Sequence, residues 1–266
     1  MSFYGSSFIF DGKSSELYDL RLFTFEVSDP SESVAGGSSS VKEEWLYRRE
    51  VPYYYGRFYE SSLEFDFTVG SFSPIDGSSR HAIESWLIGR ATYLPLRIVQ
   101  DDIADTIFNV ILSQSTNHYV GNLAYALTLH AKCDRPWGVY YPPTFGKTYS
   151  GGYVNGDTFN YFNGSAFSGY NKPTLAFTTN VTSGSVVSII NHSDNEREFK
   201  FTDLYPNETI TVDNDRGIIT SSTGLFRMSN FNKNFFRTVQ GRNNLTVSGN
   251  ITSFTIDAIF ARGVGA

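Results

Sequence analysis

Residue types that could do chemistry occur in this chain, but their spacing matches no metal-binding or phosphate-binding motif. None of the histidines has the H-E-x-x-H or paired spacing of a metal hydrolase. Gly146-Lys147-Thr148 resembles the end of a phosphate-binding loop, but Tyr141 stands where the first glycine is required, and the residues that follow cannot begin a helix. The sequence therefore predicts no metal, no phosphate site and no cofactor. The histidines are His81, His118, His130 and His192.

Two pairs of acidic residues could serve as the acid and base of a glycosidase, which needs carboxyl groups about 5 to 10 Å apart. Asp101 and Asp102 are adjacent in the chain, and adjacent residues on a strand point to opposite faces. Glu64 and Asp66 alternate with apolar residues, as on the solvent side of a strand. We therefore expect that the chain is not an enzyme.

The composition excludes further classes of function. With 21 Lys and Arg against 27 Asp and Glu, the net charge of −6 argues against a surface that binds nucleic acid through its phosphates. Hydrophobic residues make up 40% of the 266 residues, so the chain is expected to fold. The single cysteine, Cys133, excludes an intramolecular disulfide and is expected to be a small, unreactive core residue. The N-terminus lacks the pattern of a secretion signal, and no apolar run approaches the roughly 20 residues that cross a bilayer, so we expect cytoplasmic folding without membrane contact.

The elements that must position these residues are mainly strands. Large apolar residues alternate with polar ones from Leu63 to Val69, and the same period of two recurs over 94–98 and 125–133, as half-buried antiparallel strands require. A continuous apolar run over 106–112 indicates a strand that is covered on both faces or lies against a helix. The length of the chain suits one large β domain or two domains of ordinary size, and we favour two.

One segment has a helical pattern, at about residues 78–89. It follows a cap candidate, Asp76. Ile83, Trp86 and Leu87 recur at i, i+3 and i+4, which predicts that they pack on a sheet face. The first part of the chain is therefore predicted to be a β domain with one packed helix.

The composition shifts at a Gly-rich and Pro-rich stretch, residues 136–169, which we interpret as a linker between a domain at 1–140 and a domain at 141–266. Beyond this linker, short apolar runs are separated by Asn, Asp, Gly and Ser, and no helical period occurs. The pattern is typical of a β-sandwich or jelly roll. The predicted strands are 174–178, 186–190, 198–202, 208–213, 245–248 and 253–260.

An irregular segment at residues 28–62 combines aromatic and charged residues after a Ser-rich and Gly-rich tip. This mixture is unusual on the solvated face of a monomer, but Tyr, Trp and Arg are enriched where proteins meet. We interpret the segment as an extended arm that lies on another subunit. An amphipathic hairpin that packs on its own core is the alternative. The candidate interface residues are Trp45, Leu46, Tyr47, Tyr53, Tyr54, Tyr55 and Phe58.

Several segments occur in an order and spacing that resemble one known family. In the first half they are Phe8-Ile-Phe10-Asp-Gly12-Lys-Ser14-Ser15, Arg48–Gly56, Leu63–Val69, Ile83-Glu-Ser-Trp86-Leu87 and Leu94–Asp102. Together they are similar to the distal tail protein of long-tailed bacteriophages with non-contractile tails. In the second half, Glu208–Asn214 and Gln240–Gly249 resemble the galectin-like C-terminal domain of that family. The resemblance covers nearly the whole chain.

The resemblance implies both a fold and a structural role. The fold would be mainly β, with an N-terminal β-sandwich or split-barrel domain that has one packed α-helix and an extended arm, and a C-terminal galectin-like β-sandwich. The role would be a homohexameric ring at the distal end of the tail, with the tail tube protein on one side and the tail-tip hub on the other. The ring would carry receptor-binding or baseplate proteins, and DNA would pass through its lumen. Such a protein would assemble in the host cytoplasm and reside in the virion at the tail tip.

A carbohydrate-binding module without catalytic activity is the alternative function. Jelly-roll folds often host lectins, and aromatic side chains can stack on sugars. However, the aromatic residues of the second half alternate as core residues do, and the chain lacks the extra inserted carbohydrate-binding module of larger family members. Oligomeric mass separates the two functions, because a ring is oligomeric whereas a binding module is usually small and independent.

Overall fold

The computed structural model describes residues 6–23, 39–150, 152–167 and 169–263, without the side chains of Gln114 and Ser115. The chain divides into two compact units, residues 1–140 together with 262–266, and residues 141–261. Strands dominate both units, and one α-helix occurs among the described residues. The prediction of a mainly β chain with a single helix is confirmed.

The first unit is built on one seven-stranded antiparallel sheet, accompanied by a separate two-stranded ribbon. Its strands are β1 (Ser7–Phe10), β2 (Lys13–Ser14), β3 (Arg21–Phe23), β4 (Ser39–Glu44), β5 (Tyr53–Tyr59), β6 (Glu64–Gly70), β7 (Leu94–Val99), β8 (Phe108–Val120), β9 (Leu123–Cys133) and β10 (Gly138–Tyr140). The sheet has the order β2-β1-β7-β8-β9-β6-β3, and β4 pairs with β5 to form the ribbon.

Period-two alternation buries one face of the sheet. In β6, Phe65, Phe67 and Val69 are buried, whereas Glu64 and Asp66 are exposed. Such alternation is expected when one face of an antiparallel sheet is covered and the other is solvated. The strand predicted over 63–69 is therefore confirmed.

The covered face of the sheet receives α1 (Gly77–Leu87). Asp76 caps this helix, because its Oδ1 accepts hydrogen bonds from the Ser79 backbone N–H and the Ser78 hydroxyl, both at 2.7 Å. Three residues of the helix are buried, Ile83, Trp86 and Leu87. The helix begins one residue before the predicted segment 78–89 and ends two residues before its end.

The second unit is a β-sandwich of two antiparallel sheets. The strands that follow β10 along the chain are β11 (Phe145–Thr148), β12 (Val154–Asn163), β13 (Tyr170–Asn171), β14 (Thr174–Thr179), β15 (Ser185–Asn191), β16 (Arg197–Leu204), β17 (Thr209–Asp213), β18 (Ile218–Ser221), β19 (Thr238–Val239), β20 (Gly241–Gly249), β21 (Ile251–Asp257) and β22 (Phe260–Arg262). One sheet has the order β11-β21-β14-β17-β18, the other has the order β12-β20-β15-β16, and β13 pairs with β19.

Aromatic rings join the two sheets of the sandwich. Phe177 on β14 lies 5.6 Å from Phe201 on β16, between ring centroids, and Phe254 on β21 lies 5.5 Å from Phe159 on β12. Phe177, Phe201 and Phe254 are at most 1% exposed. The alternating aromatic residues Phe199, Phe201 and Phe254 are buried and build the core of this unit, as their alternation in the sequence predicted.

The linker predicted over 136–169 is wrong for half of its length. Three strands, β10, β11 and β12, lie inside it. Gly156 does not end β12, because it sits at a bulge with φ of +76°, where the register shifts between Val154 and Asp157. Prolines at 142 and 143 separate β10 from β11. The stretch therefore contributes three strands to the fold and is not a continuous linker.

Candidate functional site

The segment predicted as an arm forms a two-stranded ribbon. In this ribbon β4 pairs with β5 from Ser39↔Tyr59 to Glu44↔Tyr53. The register shifts next to Gly56, whose φ of +117° favours glycine, so the extra residue of the bulge is Tyr55. Residues 28–38 of the predicted arm lie outside the described residues.

All seven interface candidates of the arm are exposed in the single chain. Their exposed fractions run from 44% for Tyr53 to 89% for Tyr47, and Trp45 is 61% exposed. We call this set the arm patch; it consists of Trp45, Leu46, Tyr47, Tyr53, Tyr54, Tyr55 and Phe58. The alternative, a hairpin that packs these side chains on its own core, does not fit, because all seven side chains are exposed.

Polar contacts within the ribbon fix several of the exposed rings. Trp45 Nε1 donates a hydrogen bond to Glu43 at 3.0 Å, and the Tyr55 hydroxyl donates to Glu44 at 3.0 Å. The bond to Glu44 raises the pKa of Tyr55, so its hydroxyl stays a donor. Held in place, these rings lose less conformational entropy when they meet a partner.

Arginines stack on further rings of the arm. The guanidinium of Arg49 lies 3.8 Å from the ring centroid of Tyr53, and that of Arg48 lies 5.2 Å from the ring of Tyr47. Arg48 has a φ of +66° in the turn between the two strands. The arm therefore presents Tyr and Arg side chains side by side, the residue types enriched at the energetic centres of protein interfaces.

The base of the ribbon is tied to the first unit. Tyr59, the last residue of β5, packs edge to face on Trp137 with ring centroids 5.1 Å apart. Leu63 follows and is buried, and its backbone N–H donates to Arg135 O at 3.1 Å. The exposed part of the ribbon is thus carried on a fixed base.

The predicted helix-packing residues lie in the core of the first unit. Trp86 stacks on Phe8 and Tyr18, with ring centroids 5.8 and 5.1 Å apart, and its Nε1 donates to Phe10 O at 3.3 Å. Ile83 and Leu87 are 1% and 0% exposed. These residues hold the helix on the sheet and offer nothing to a partner.

Side chains with acid or base chemistry are engaged with one another in small groups, as where His130 lies between Glu64 and Asp66. His130 Nδ1 lies 2.7 Å from Asp66 Oδ1, and His192 Nδ1 lies 2.6 Å from Glu196 Oε2. Burial raises the pKa of Cys133 to about 12, so this thiol stays protonated and inert. No three His, Cys, Asp or Glu side chains converge as metal ligands in the part of the chain that the structure describes. Within the same residues, no helix is long and apolar enough to span a membrane.

A second exposed apolar surface was not predicted from the sequence. Phe72, Tyr119, Val120 and Leu123, which we call the tip patch, are between 51% and 78% exposed. Two backbone hydrogen bonds hold the segment that carries Phe72 on the start of β9: Ser71 N–H donates to Tyr125 O at 2.9 Å, and Ile75 N–H donates to Ala124 O at 2.8 Å. The sequence signal that could have found this surface is an absence of charge, since no Asp, Glu, Lys, Arg or Pro occurs between positions 106 and 131.

Both halves of the chain match families of phage tail proteins. Residues 3–135 match a family described as phage tail protein N-terminal domain, and residues 145–257 match one described as phage tail C-terminal domain. No curated protein matches the chain.

Two solved structures are similar to this chain over nearly its whole length. One is the crystal structure of the SPP1 Dit (gp 19.1) protein, described as a paradigm of the hub adsorption apparatus in phages that infect Gram-positive bacteria. It has a TM-score of 0.66 at 14% identity and covers 96% of this chain and 98% of that chain. The other is the phage p2 baseplate in its activated conformation with Sr, with a TM-score of 0.50 at 10% identity, covering 97% of this chain and 99% of that chain. At such identities the likeness shows a shared fold.

Proposed function

The chain belongs to a family of bacteriophage tail proteins, and from this premise we propose that it forms a homohexameric ring at the distal end of a non-contractile tail. The protein is a structural component of the tail. In the proposal, the first unit builds the ring, and each copy clasps its neighbour with the arm patch.

The observation that carries this proposal is the exposure of the arm patch. Soluble monomers rarely leave a large contiguous group of aromatic residues in water, and such groups mark sites of protein association. Stable interfaces bury on the order of 1,200 to 2,000 Å². A ribbon with Trp, Tyr and Phe on its surface, such as Trp45 and Tyr54, reaches that range with few ordered residues.

The geometry of an arm suits a ring. A head-to-tail interface uses two different surfaces and closes into a ring when its rotation divides a full circle. A ribbon that reaches from one subunit to the next can fix that rotation. We propose that the part of β5 carrying Tyr53–Phe58 does so.

We further propose the partners of the ring. One side would join the tail tube protein, and the other would join the tail-tip hub and any receptor-binding or baseplate proteins. The two similar structures are described as a hub adsorption protein and a phage baseplate, which supports a position at the tail tip. The net charge of −6 also suits a lumen that DNA traverses without being retained.

The second unit is proposed to be a scaffold for other tail proteins and not a reader of sugars. Its alternating aromatic residues, such as Phe199, Phe201 and Phe254, are buried and cannot stack on a glycan. A glycan array probed with the full chain should show no binding above background. Selective binding that is lost in Phe162→Ala, a variant of an aromatic residue that is 68% exposed, would favour the carbohydrate-binding alternative.

No catalytic step is part of the proposal. Acid and base side chains such as Asp66, His130 and Glu64 are engaged with one another in small groups. Incubation with cell-wall glycan or peptide should therefore give no turnover. Turnover by pure protein that disappears when one carboxylate or histidine is changed would contradict this.

Ring formation can be tested by light scattering and negative-stain imaging of the intact protein. We expect six-membered rings with six times the 29.8 kDa mass of one chain. The double variant Trp45→Ala with Tyr54→Ala should shift the mass towards one chain and leave the circular dichroism unchanged. Phe226→Ala removes an aromatic residue that is 80% exposed in the second unit and serves as the matched control. A monomer at every concentration would refute the ring, and an undiminished ring in the double variant would refute the role of the arm.

A further inference from the structure

The dipeptide Asn-Gly occurs twice in the chain, and both copies lie at the ends of β12. They are Asn155-Gly156 and Asn163-Gly164. In this dipeptide the asparagine side chain can react with the backbone nitrogen of the glycine, because a glycine has no Cβ to hinder the approach or to restrict the backbone. The two sites are equal in the residues that would react, and the structure makes them different.

The first site lies in the bulge of β12. The register with β20 shifts between Val154 and Asp157, so Asn155 and Gly156 have no partner residue of their own on β20. A bulge leaves its extra residue unpaired and disrupts the ladder locally. Gly156 has a φ of +76°, and both residues of the site are exposed. The backbone here can therefore change its angles without disturbing the strand beyond Asp157.

The side chain of Asn155 is not held in place by the fold. Its carboxamide makes no hydrogen bond to the residues that the structure describes. Around Gly156 there is room as well, since the heavy atom nearest to the position of a Cβ is Thr246 Cγ2, at 3.9 Å. The carboxamide can therefore turn towards the backbone nitrogen of Gly156.

The second site is held firmly by its surroundings. Asn163 is 1% exposed. Its Nδ2 donates a hydrogen bond to Thr238 O at 3.3 Å, and its Oδ1 accepts one from the Ser165 backbone N–H at 3.1 Å. A Cβ at Gly164 would lie 3.2 Å from the ring of Phe260, so the backbone is closely packed. Both hydrogen bonds must break before Asn163 can turn towards Gly164.

We propose that Asn155 is a site of spontaneous deamidation and that the fold protects Asn163 from the same reaction. The inference concerns the covalent state of the second unit and is independent of the proposed ring.

The reaction consumes water and releases ammonia. Hydroxide removes the proton of the Gly156 backbone nitrogen, which attacks Asn155 Cγ; the Cγ–Nδ2 bond breaks, and the amide nitrogen takes a proton from water and leaves as ammonia. The product is a cyclic succinimide. Water then opens this ring at either carbonyl carbon. Opening at Cγ gives aspartate, whereas opening at the main-chain carbonyl gives isoaspartate, whose backbone runs through Cβ and Cγ.

Either product adds a negative charge close to an acidic residue that is already paired. Asp157 lies two residues further along β12 and is bound by Lys147 Nζ at 2.6 Å and by the Tyr149 hydroxyl at 2.8 Å. The net charge of −6 becomes more negative by one for each modified chain. Isoaspartate also lengthens the backbone, but it does so in a bulge that already holds an extra residue. We therefore expect the modified chain to stay folded.

Peptide mapping of the full chain after storage tests the proposal. Chymotrypsin cleaves after aromatic residues such as Phe159 and Phe162, so it places Asn155 and Asn163 in different peptides. At mildly alkaline pH the Asn155 peptide should gain the mass difference between an amide and an acid at least about tenfold faster than the Asn163 peptide, because only Asn163 must first break two hydrogen bonds. The converted Asn155 peptide should contain both aspartate and isoaspartate.

The same measurement in urea is the matched control, because unfolding exposes both sites. The two peptides should then be converted at similar rates. In the folded protein, Asn155→Gln keeps the amide on a longer side chain and should abolish the acidic form that isoelectric focusing detects. Asn155→Asp should migrate with that acidic form. Circular dichroism shows that each variant is folded.

Each contrary result overturns a stated part of the proposal. Absence of conversion at Asn155 in the folded protein, or equal rates at the two sites, would refute the selective site. An acidic form that persists in Asn155→Gln would place the reaction at another residue. Aspartate without isoaspartate would mean direct hydrolysis of the amide and would refute the succinimide.

Discussion

Two tryptophans of the first unit show how the same side chain can serve two purposes. Trp45 lies on the arm, is 61% exposed and donates its indole N–H to Glu43 at 3.0 Å. Trp86 lies on α1, is 3% exposed and donates its indole N–H to Phe10 O at 3.3 Å. Both polar groups are satisfied, so hydrogen bonding does not distinguish the two sites. The difference lies in the apolar area that each ring buries within one chain.

That difference indicates how much of the free energy of apolar burial each tryptophan contributes to the folded single chain. Burial of apolar surface contributes about 25 cal/mol per Å². For Trp86 this contribution stabilises the folded chain through the stacks with Phe8 and Tyr18. For Trp45 most of the ring stays in water, so little of this contribution is realised within the single chain. The helix region therefore supports folding, whereas the arm leaves apolar surface in water, which the proposed ring would cover.

The largest effect that would sharpen this comparison is expected for Trp86→Ala. Removing the indole leaves a cavity among Phe8, Phe10 and Tyr18 and should lower the free energy of unfolding by about 3–5 kcal/mol. Urea unfolding at low protein concentration measures this change. A loss below about 1 kcal/mol would mean that the helix region collapses around the missing ring, and the contrast with the arm would fail.

A buried ion pair in the second unit extends the comparison to charged residues. Arg227 donates to both carboxylate oxygens of Glu208, at 2.8 and 2.6 Å, and both side chains are buried. Glu208→Gln should lower the free energy of unfolding by about 3 kcal/mol, because it leaves the guanidinium buried without a carboxylate. The matched change on the arm, Glu44→Gln, removes the exposed acceptor of Tyr55 and should alter stability by less than about 0.5 kcal/mol. Equal losses in the two variants would remove the distinction between core and arm.

The same pair predicts how stability depends on pH. Burial opposes ionisation of Glu208, but hydrogen bonds from Arg227, Ser221 and the Tyr205 backbone outweigh it and hold its pKa below the ordinary value. Its contribution is therefore present above the unfolded pKa of about 4.3 and is lost as the pH falls through the folded pKa. The wild type should lose stability below about pH 4, and Glu208→Gln should lose less over that range. Parallel pH profiles of the two proteins would contradict this assignment.

The sequence predicted those features that depend on local pattern. Alternation identified β6, and helical spacing identified Trp86 with its neighbours. The resemblance to distal tail proteins is confirmed by the matched families and by the shared fold with SPP1 Dit. The arm was found because it mixes charge with aromatic residues, although no pattern specifies what it contacts.

The features that the sequence did not predict depend on contacts between distant residues. The run 106–112 was expected to end near Leu112, but β8 continues to Val120 because pairing with β9 supports its polar residues. Glycine and proline between 136 and 169 indicated a linker, yet Gly156 fits a bulge within β12. Glu208 and Arg227 are 19 residues apart and lie in two different connections between strands. No local sequence pattern predicts that these two residues form an ion pair.

The smallest effect on stability, and the sharpest test of the comparison, is expected for Trp45→Ala. Because the ring is already mostly in water, its removal should change the free energy of unfolding of the single chain by less than about 0.5 kcal/mol, unlike the same change at Trp86. The measurement must be made at concentrations low enough for the wild type to be dissociated, because assembly would otherwise add to its apparent stability. At higher concentrations the wild type should unfold at a higher urea concentration than the variant, and the gap should widen with protein concentration. A concentration-independent loss of more than about 1 kcal/mol would instead place the role of Trp45 in the fold of its own chain.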